Sequence, residues 1–174
     1  MALATEFPFG ATEADLYWNP HKVRSVALEG LAQLFAETGA LKLAVEAATR
    51  IDDGSSMHWA LRAILDNLRT VEPAGRVALL RQLRDLPRII ENFTHRARTQ
   101  LRIGEQFLVA GEVDEAARIF EEVYSAGASE DPCNRIRVLA YLDAIRIKHS
   151  LDRGTVPKEI RSQSRKMFLF LRCD

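Results

Sequence analysis

Histidines, cysteines and paired carboxylates are the side chains with which a protein of this size would do chemistry, and here none sits at a working spacing. His21, His58, His95 and His149 lie in four different segments. None has a second His, or a Cys, three or four residues away, the spacing at which one helix presents two metal ligands side by side. They read as surface or helix-end histidines whose chance meeting in the fold is not expected. Cys133 and Cys173 are the only cysteines, which excludes a disulfide scaffold and a cysteine-rich zinc module. Cys133 stands at an expected helix start, where the dipole lowers a thiol pKa, but no flanking motif makes it a nucleophile. Asp52-Asp53 and Glu121-Glu122 fall at a helix end and on a helix surface, as caps or solvated charges rather than an acid–base dyad. No G-x-G-x-x-G, G-x-x-x-x-G-K-[ST] or G-x-S-x-G sequence occurs. No catalytic residue, metal ligand or cofactor is assigned, and the chain reads as a non-enzyme.

Charge is where the sequence is patterned. Residues 76–102 hold seven Arg against Asp85 and Glu91, a local excess of +5. Residues 104–131 hold eight acids against Arg118, a local −7, and residues 135–174 hold ten Lys or Arg against four acids, a local +6. Part of this is expected to pair internally, with Arg98 or Arg102 reaching the acidic neighbouring helix; the rest makes a solvated surface or a groove with opposed walls. Over all 174 residues, 24 basic and 24 acidic side chains cancel, which excludes a uniformly basic nucleic-acid binder. An apolar fraction of 47% excludes disorder. The most apolar run, Met167 to Leu171, is far shorter than the roughly 18 residues of a membrane span.

The elements that must carry these side chains are helices. Ala, Leu, Arg and Glu dominate, and no stretch keeps the period-two alternation of a strand. Val23, Val26, Ala27, Leu31, Leu34 and Phe35 have the three-and-four spacing of one buried helical face, and Leu41, Ala44, Val45, Ala48 and Ile51 repeat it after Thr38-Gly39. A second hairpin turns at Glu72-Pro73-Ala74-Gly75, with Pro87 interrupting its second helix. A third runs Phe93 to Val109, turns at Ala110-Gly111 and continues from Val113 to Tyr124. Gly39, Gly75 and Gly111 are each 36 residues apart, a period that points to stacked helix hairpins. The expected organisation is an N-terminal extended cap over 1–20, with Thr12 and Asp15 capping a short turn, three hairpins over 21–131, and a capping helix pair over 132–174. Pro132 opens the first helix of that pair and Pro157 the second.

The stretch Gly104-x-x-Phe107-x-x-x-Gly111-x-Val113-x-x-Ala116-x-x-x-Phe120 resembles a tetratricopeptide repeat. With Gly39 set equivalent to Gly111, Ala32, Phe35, Leu41, Ala44 and Ala48 fall at matching positions. The middle unit departs, with Leu68, Val71, Leu80 and Arg84 in the four packing positions. The resemblance covers about residues 22–130 and implies an all-α fold, a right-handed α-solenoid of stacked antiparallel hairpins. It also implies a chaperone, adaptor or assembly factor.

Stacked hairpins leave a concave face lined by first-helix side chains, a groove for a peptide or a partner helix. Here those positions fall to Glu29, Gln33, Arg62, Asp66, Arg98 and Arg102. The expected partner is a protein or peptide. RNA is the alternative, because the run from Ala110 to Ala116 is also similar to a pentatricopeptide repeat. That family reads bases with a small polar residue on each first helix. The matching positions hold Gly30, Asp66 and Arg102, none of that type, which leaves phosphate contacts from Arg96, Arg98 and Arg102. The five apolar residues from Met167 to Leu171 either bury in the chain's own groove or supply a homodimer contact. With neither an export signal nor a membrane span in the sequence, the expected location is the cytoplasm, with a loose secretion signal still open.

Overall fold

The structure is a computed structural model that describes residues 20–149. The N-terminal cap, the helix opening at Pro157 and the Met167–Leu171 contact lie outside the described residues. Within them the chain is all-α, with no strand. Seven α-helices follow one another: α1 (Pro20–Glu37), α2 (Leu41–Ala48), α3 (Gly54–Asn67), α4 (Pro73–Leu83), α5 (Phe93–Val109), α6 (Val113–Gly127) and α7 (Pro132–Lys148). Two short 3₁₀ segments, Leu68–Thr70 and Leu86–Ile89, follow α3 and α4. No helix among the described residues is long and apolar enough to cross a membrane.

The ends of these helices follow from their residues. Gly39 and Gly111 have φ of +79° and +85°, the left-handed conformation in which Gly carries no Cβ penalty. After α5 the Glu112 N–H bonds Phe107 O at 2.9 Å and the Gly111 N–H bonds Leu108 O at 3.0 Å, the paired closure of a Schellman turn. Asp53, Asn92 and Asp131 cap α3, α5 and α7 by accepting from the N–H groups of Ser56, His95, and Cys133 with Asn134. Pro132 stands just inside α7, where its missing N–H costs nothing. Gly75 differs from its expected role. Pro73 already starts α4, so Gly75 lies inside the first turn, and the 3₁₀ segment Leu68–Thr70 leads from α3 toward it. Pro87 falls in the 3₁₀ segment that follows α4, consistent with the interruption the sequence predicts.

Helices α1, α3, α5 and α7 touch in series, α1 on α3, α3 on α5 and α5 on α7. The intervening helices sit behind them: α2 contacts α1, α3 and α4, while α6 contacts α5 and α7. One core runs through all of them, from Ala32 and Val45 through Leu61, Ile64 and Leu80 to Phe107, Phe120 and Leu142. α5 meets α6 at Gly104, where an added Cβ would lie 2.6 Å from Phe120 Cε1. The small residue and the aromatic ring of the third hairpin are thus fitted to each other. The expected middle hairpin differs: α4 packs against α2 and α5 rather than along α3. Leu68 and Leu80 are buried, and Arg84, in the aromatic position, bonds Glu115 at 2.8 Å and Glu122 at 3.1 Å on α6.

Gly54 opens α3 against backbone: a Cβ there would come 2.6 Å from Ile89 O and 3.0 Å from Ile90 Cα. Neither atom can swing aside as a side chain does. Gly54→Ala is therefore expected to destabilise the fold by about 1–3 kcal/mol through overpacking. Gly30→Ala, in the middle of α1 with open space around its added Cβ, is expected to stabilise by about 0.5–1 kcal/mol. Urea midpoints of the two variants moving in the same direction would contradict this account.

Candidate functional site

Four of the six expected partner-binding residues come together. Arg62 and Asp66 on α3, with Arg98 and Arg102 on α5, line a cavity of about 280 Å³ completed by His58, Leu65, Thr99 and Tyr141. The helical period explains the grouping: Arg62 and Asp66 are one turn apart on α3, Arg98 and Arg102 one turn apart on α5. The contact between α3 and α5 then brings the two pairs together. The Arg102 guanidinium donates to Asp66 across this junction, and Arg62 Nε stands 3.9 Å from the same carboxylate. Arg98 is held over the Tyr141 ring at 5.8 Å, and Arg62 over Trp59 at 5.2 Å. Two guanidinium groups thus share one carboxylate, and the third lies on an aromatic ring.

Glu29 and Gln33 do not join them. Glu29 is 3% exposed and faces α3, hydrogen-bonded with Ser56 and accepting from Gln33 Nε2 at 3.1 Å. Burial is the main reason its carboxyl pKa is pushed up to about 7, with the nearby Asp53 charge adding to it against the hydrogen bonds from Ser56 and Gln33. A helical period shows which residues share a face. On α1 the expected apolar face is not the buried one: Val23, Leu31 and Leu34 are exposed, and Ser25, Glu29, Ala32 and Ala36 are buried.

The expected pairing of Arg98 or Arg102 with the acidic helix is also corrected. Those two arginines lie on the face of α5 toward α3 and α7, while Gly104 and Phe107 face α6. The arginines that reach α6 come from the preceding hairpin: Arg84 to Glu115 and Glu122, and Arg81 to Glu112 at 3.6 Å.

His58, Thr99 and Tyr141 were not singled out by sequence. His58 and His95, expected to stay apart, have ring centroids 4.5 Å from each other. Thr99 Oγ1 donates to the His95 carbonyl at 2.9 Å, so its one hydrogen is spent. The 3.1 Å contact with His58 Nδ1 must then have the ring as donor, which leaves Nε2 carrying the lone pair. Burial lowers the His58 pKa to about 4, assisted by the charges of His95, Arg62, Arg98 and Arg102. The imidazole is neutral at pH 7 inside a positively charged wall. Two turns along the same face of α5 from Arg98, Glu105 accepts from Lys148 Nζ at 2.8 Å and contacts His149 Nε2 at 2.9 Å. Burial opposes its ionisation, but these bonds outweigh it and hold the carboxyl below its ordinary range. They fasten the end of α7 to α5.

No group of three or more His, Cys, Asp or Glu side chains gathers for a metal among the described residues. The chemistry on offer is charge recognition, with fixed guanidinium groups, a buried hydroxyl and a neutral imidazole. Compared with protein-family models, curated proteins and solved structures, the chain matches none.

Proposed function

We propose that the chain is a cytoplasmic, non-catalytic adaptor whose helices form a tetratricopeptide-like right-handed stack and hold a segment of a partner protein along the α1–α3–α5–α7 face. The observation that carries this reading is the Arg62, Asp66, Arg98 and Arg102 cluster on that face. Two neighbouring first helices contribute side chains to one cavity. Asp66 and Arg102, which pair, are 36 residues apart, the repeat period itself. Stacking in register would bring such equivalent positions together.

RNA is the weaker reading on the same residues. Arg96, one of three expected phosphate contacts, donates to the carbonyls of Ile90 and Glu91 and lies over Phe93. Arg102 and Asp66, both at base-reading positions, are spent on each other.

The test is selection of binding peptides from a random display library, followed by titration against the purified chain and an Arg62→Glu/Arg98→Glu double variant. Selected peptides are expected to lose at least tenfold in affinity to the variant, with its helical circular dichroism unchanged. Peptides that bind both proteins equally would remove the face from the reading. Tight, steeply salt-dependent binding of single-stranded RNA with no peptide selected would replace the reading altogether.

A further inference from the structure

The cavity between α3, α5 and α7 has an unbalanced charge. Among the described residues, Arg62, Arg98 and Arg102 supply three positive charges, and Asp66 is the one carboxylate lining it. Asp66 is committed to Arg102 and, at 3.9 Å, to Arg62. Arg98 has no ion-pair partner among the described residues; it rests on the Tyr141 ring. Arg98 and Arg102 are like charges one turn apart on α5, an arrangement that disfavours an isolated helix. His95 is the other titratable side chain against His58, and it brings no negative charge to this wall.

A wall with a net charge of +2 matches a dianion, whereas a single carboxylate would leave it half neutralised. Guanidinium groups are planar forks that bind phosphoryl oxygens two at a time, and a phosphoryl group offers three oxygens to groups arriving from two helices. The cavity has room for such a group with the side chain that bears it. His58 suits the same guest. Its Nδ1–H is held by Thr99, and a bound dianion would offset the neighbouring positive charges that add to burial in keeping the ring neutral, favouring a proton on Nε2 as a donor.

We propose that this cavity seats a phosphoryl group, presented by a phosphorylated side chain of the bound partner segment; the source of the group rests on the partner-binding reading above.

The experiment uses the full chain at low salt and follows the ring signals of His58 by NMR. The probes are inorganic phosphate, sulfate, two degenerate peptide pools of equal composition containing serine or phosphoserine, and a mixed single-stranded RNA. Expected are a saturable His58 response to phosphate at millimolar concentration, a rise in its titration midpoint by at least one pH unit, and a weaker response to sulfate. The phosphoserine pool is expected to bind at least tenfold more tightly than the serine pool. All of these responses should fall at least tenfold in Arg98→Gln, which breaks no ion pair, and in Arg62→Gln. A His58 signal unmoved by 20 mM phosphate, or moved equally in both variants, would overturn the proposal. Selected peptides that still bind in that case leave the partner reading standing. A phosphate response with no advantage for the phosphoserine pool overturns the peptide source. RNA binding lost in the same variants would reassign the seat to nucleic-acid phosphates.

Discussion

Phe120→Ala is expected to cost about 3–5 kcal/mol of stability, the range for truncating a fully buried ring. Phe120 is 1% exposed and closes the seam between α5 and α6, beside Phe107, Ala116 and Val123 in the same core. Domains of this size are stable by about 5–15 kcal/mol, so the loss is a large share of the total. The diagnostic experiment adds Gly104→Ala. In an open helix that change gains about 1 kcal/mol, but here the new methyl would sit 2.6 Å from Phe120 Cε1. Overpacking of that kind costs about 1–3 kcal/mol, so the single variant is expected to be destabilised or at best unchanged. In a Phe120→Leu background the ring edge is gone and Gly104→Ala should turn stabilising. A coupling between the two sites of at least about 0.5 kcal/mol is expected in a double-mutant cycle from urea unfolding. Strict additivity would mean that the two residues are not fitted to each other.

Glu29→Gln is expected to have an effect whose size depends on pH. The Glu29 carboxyl pKa stands at about 7 in the folded chain against an ordinary value of 4.5. Between those values the folded state keeps a proton that the unfolded chain releases, so this group makes stability fall as pH rises. The loss is about 1.4 kcal/mol per pH unit and about 3 kcal/mol over the whole window. His58 acts with the opposite sign. Its pKa is about 4 folded against 6.5, so from pH 4 to 6.5 the unfolded chain binds the extra proton and stability rises with pH. In the wild-type chain these two slopes offset each other over much of the acid range. A Gln at position 29 keeps groups able to bond Ser56 and Gln33 while removing the titration. The variant is expected to match wild type near pH 4.5 and to exceed it by up to about 3 kcal/mol at pH 8. Between pH 4 and 6.5 its own stability should climb steeply, with the His58 term no longer opposed. Urea unfolding at pH 4.5, 6.5 and 8 measures this; a constant difference between the two proteins would show that Glu29 is ionised in the fold.

Much of the helical order was legible because apolar spacing and capping chemistry act locally. Leu41, Ala44, Val45 and Ala48 mark one face of α2 without reference to any other helix. Gly39 and Gly111 mark their turns because, among the glycines of the described residues, they are the ones with positive φ. Gly75 misled because Pro73, two residues earlier, is a stronger helix starter than Gly is a turn former. Four of the six expected partner-binding residues meet in one cavity because one helical turn places Arg62 near Asp66 and Arg98 near Arg102. Glu29 and Gln33 stand apart from that cavity because the direction of a helix's polar face depends on the helix packed against it, here α3, whose Ser56 bonds Glu29. His58, Thr99 and Tyr141 belong to three helices, and their meeting depends on the stagger of α3 and α7 against α5. A sequence carries that stagger only through the packing it produces.

The presence of Arg84 where the neighbouring hairpin has Phe120 gives the molecule two kinds of seam. The α5–α6 seam is dry and closed by a ring, so separating it would expose apolar surface to water. Arg81 and Arg84 reach α6 through ion pairs whose partners are partly hydrated even when formed. Such bonds can be exchanged for water and counterions one at a time, at well under the cost of opening a core. Raising the ionic strength is therefore expected to weaken the ion pairs from Arg81 and Arg84 to Glu112, Glu115 and Glu122 while leaving the α5–α6 seam closed.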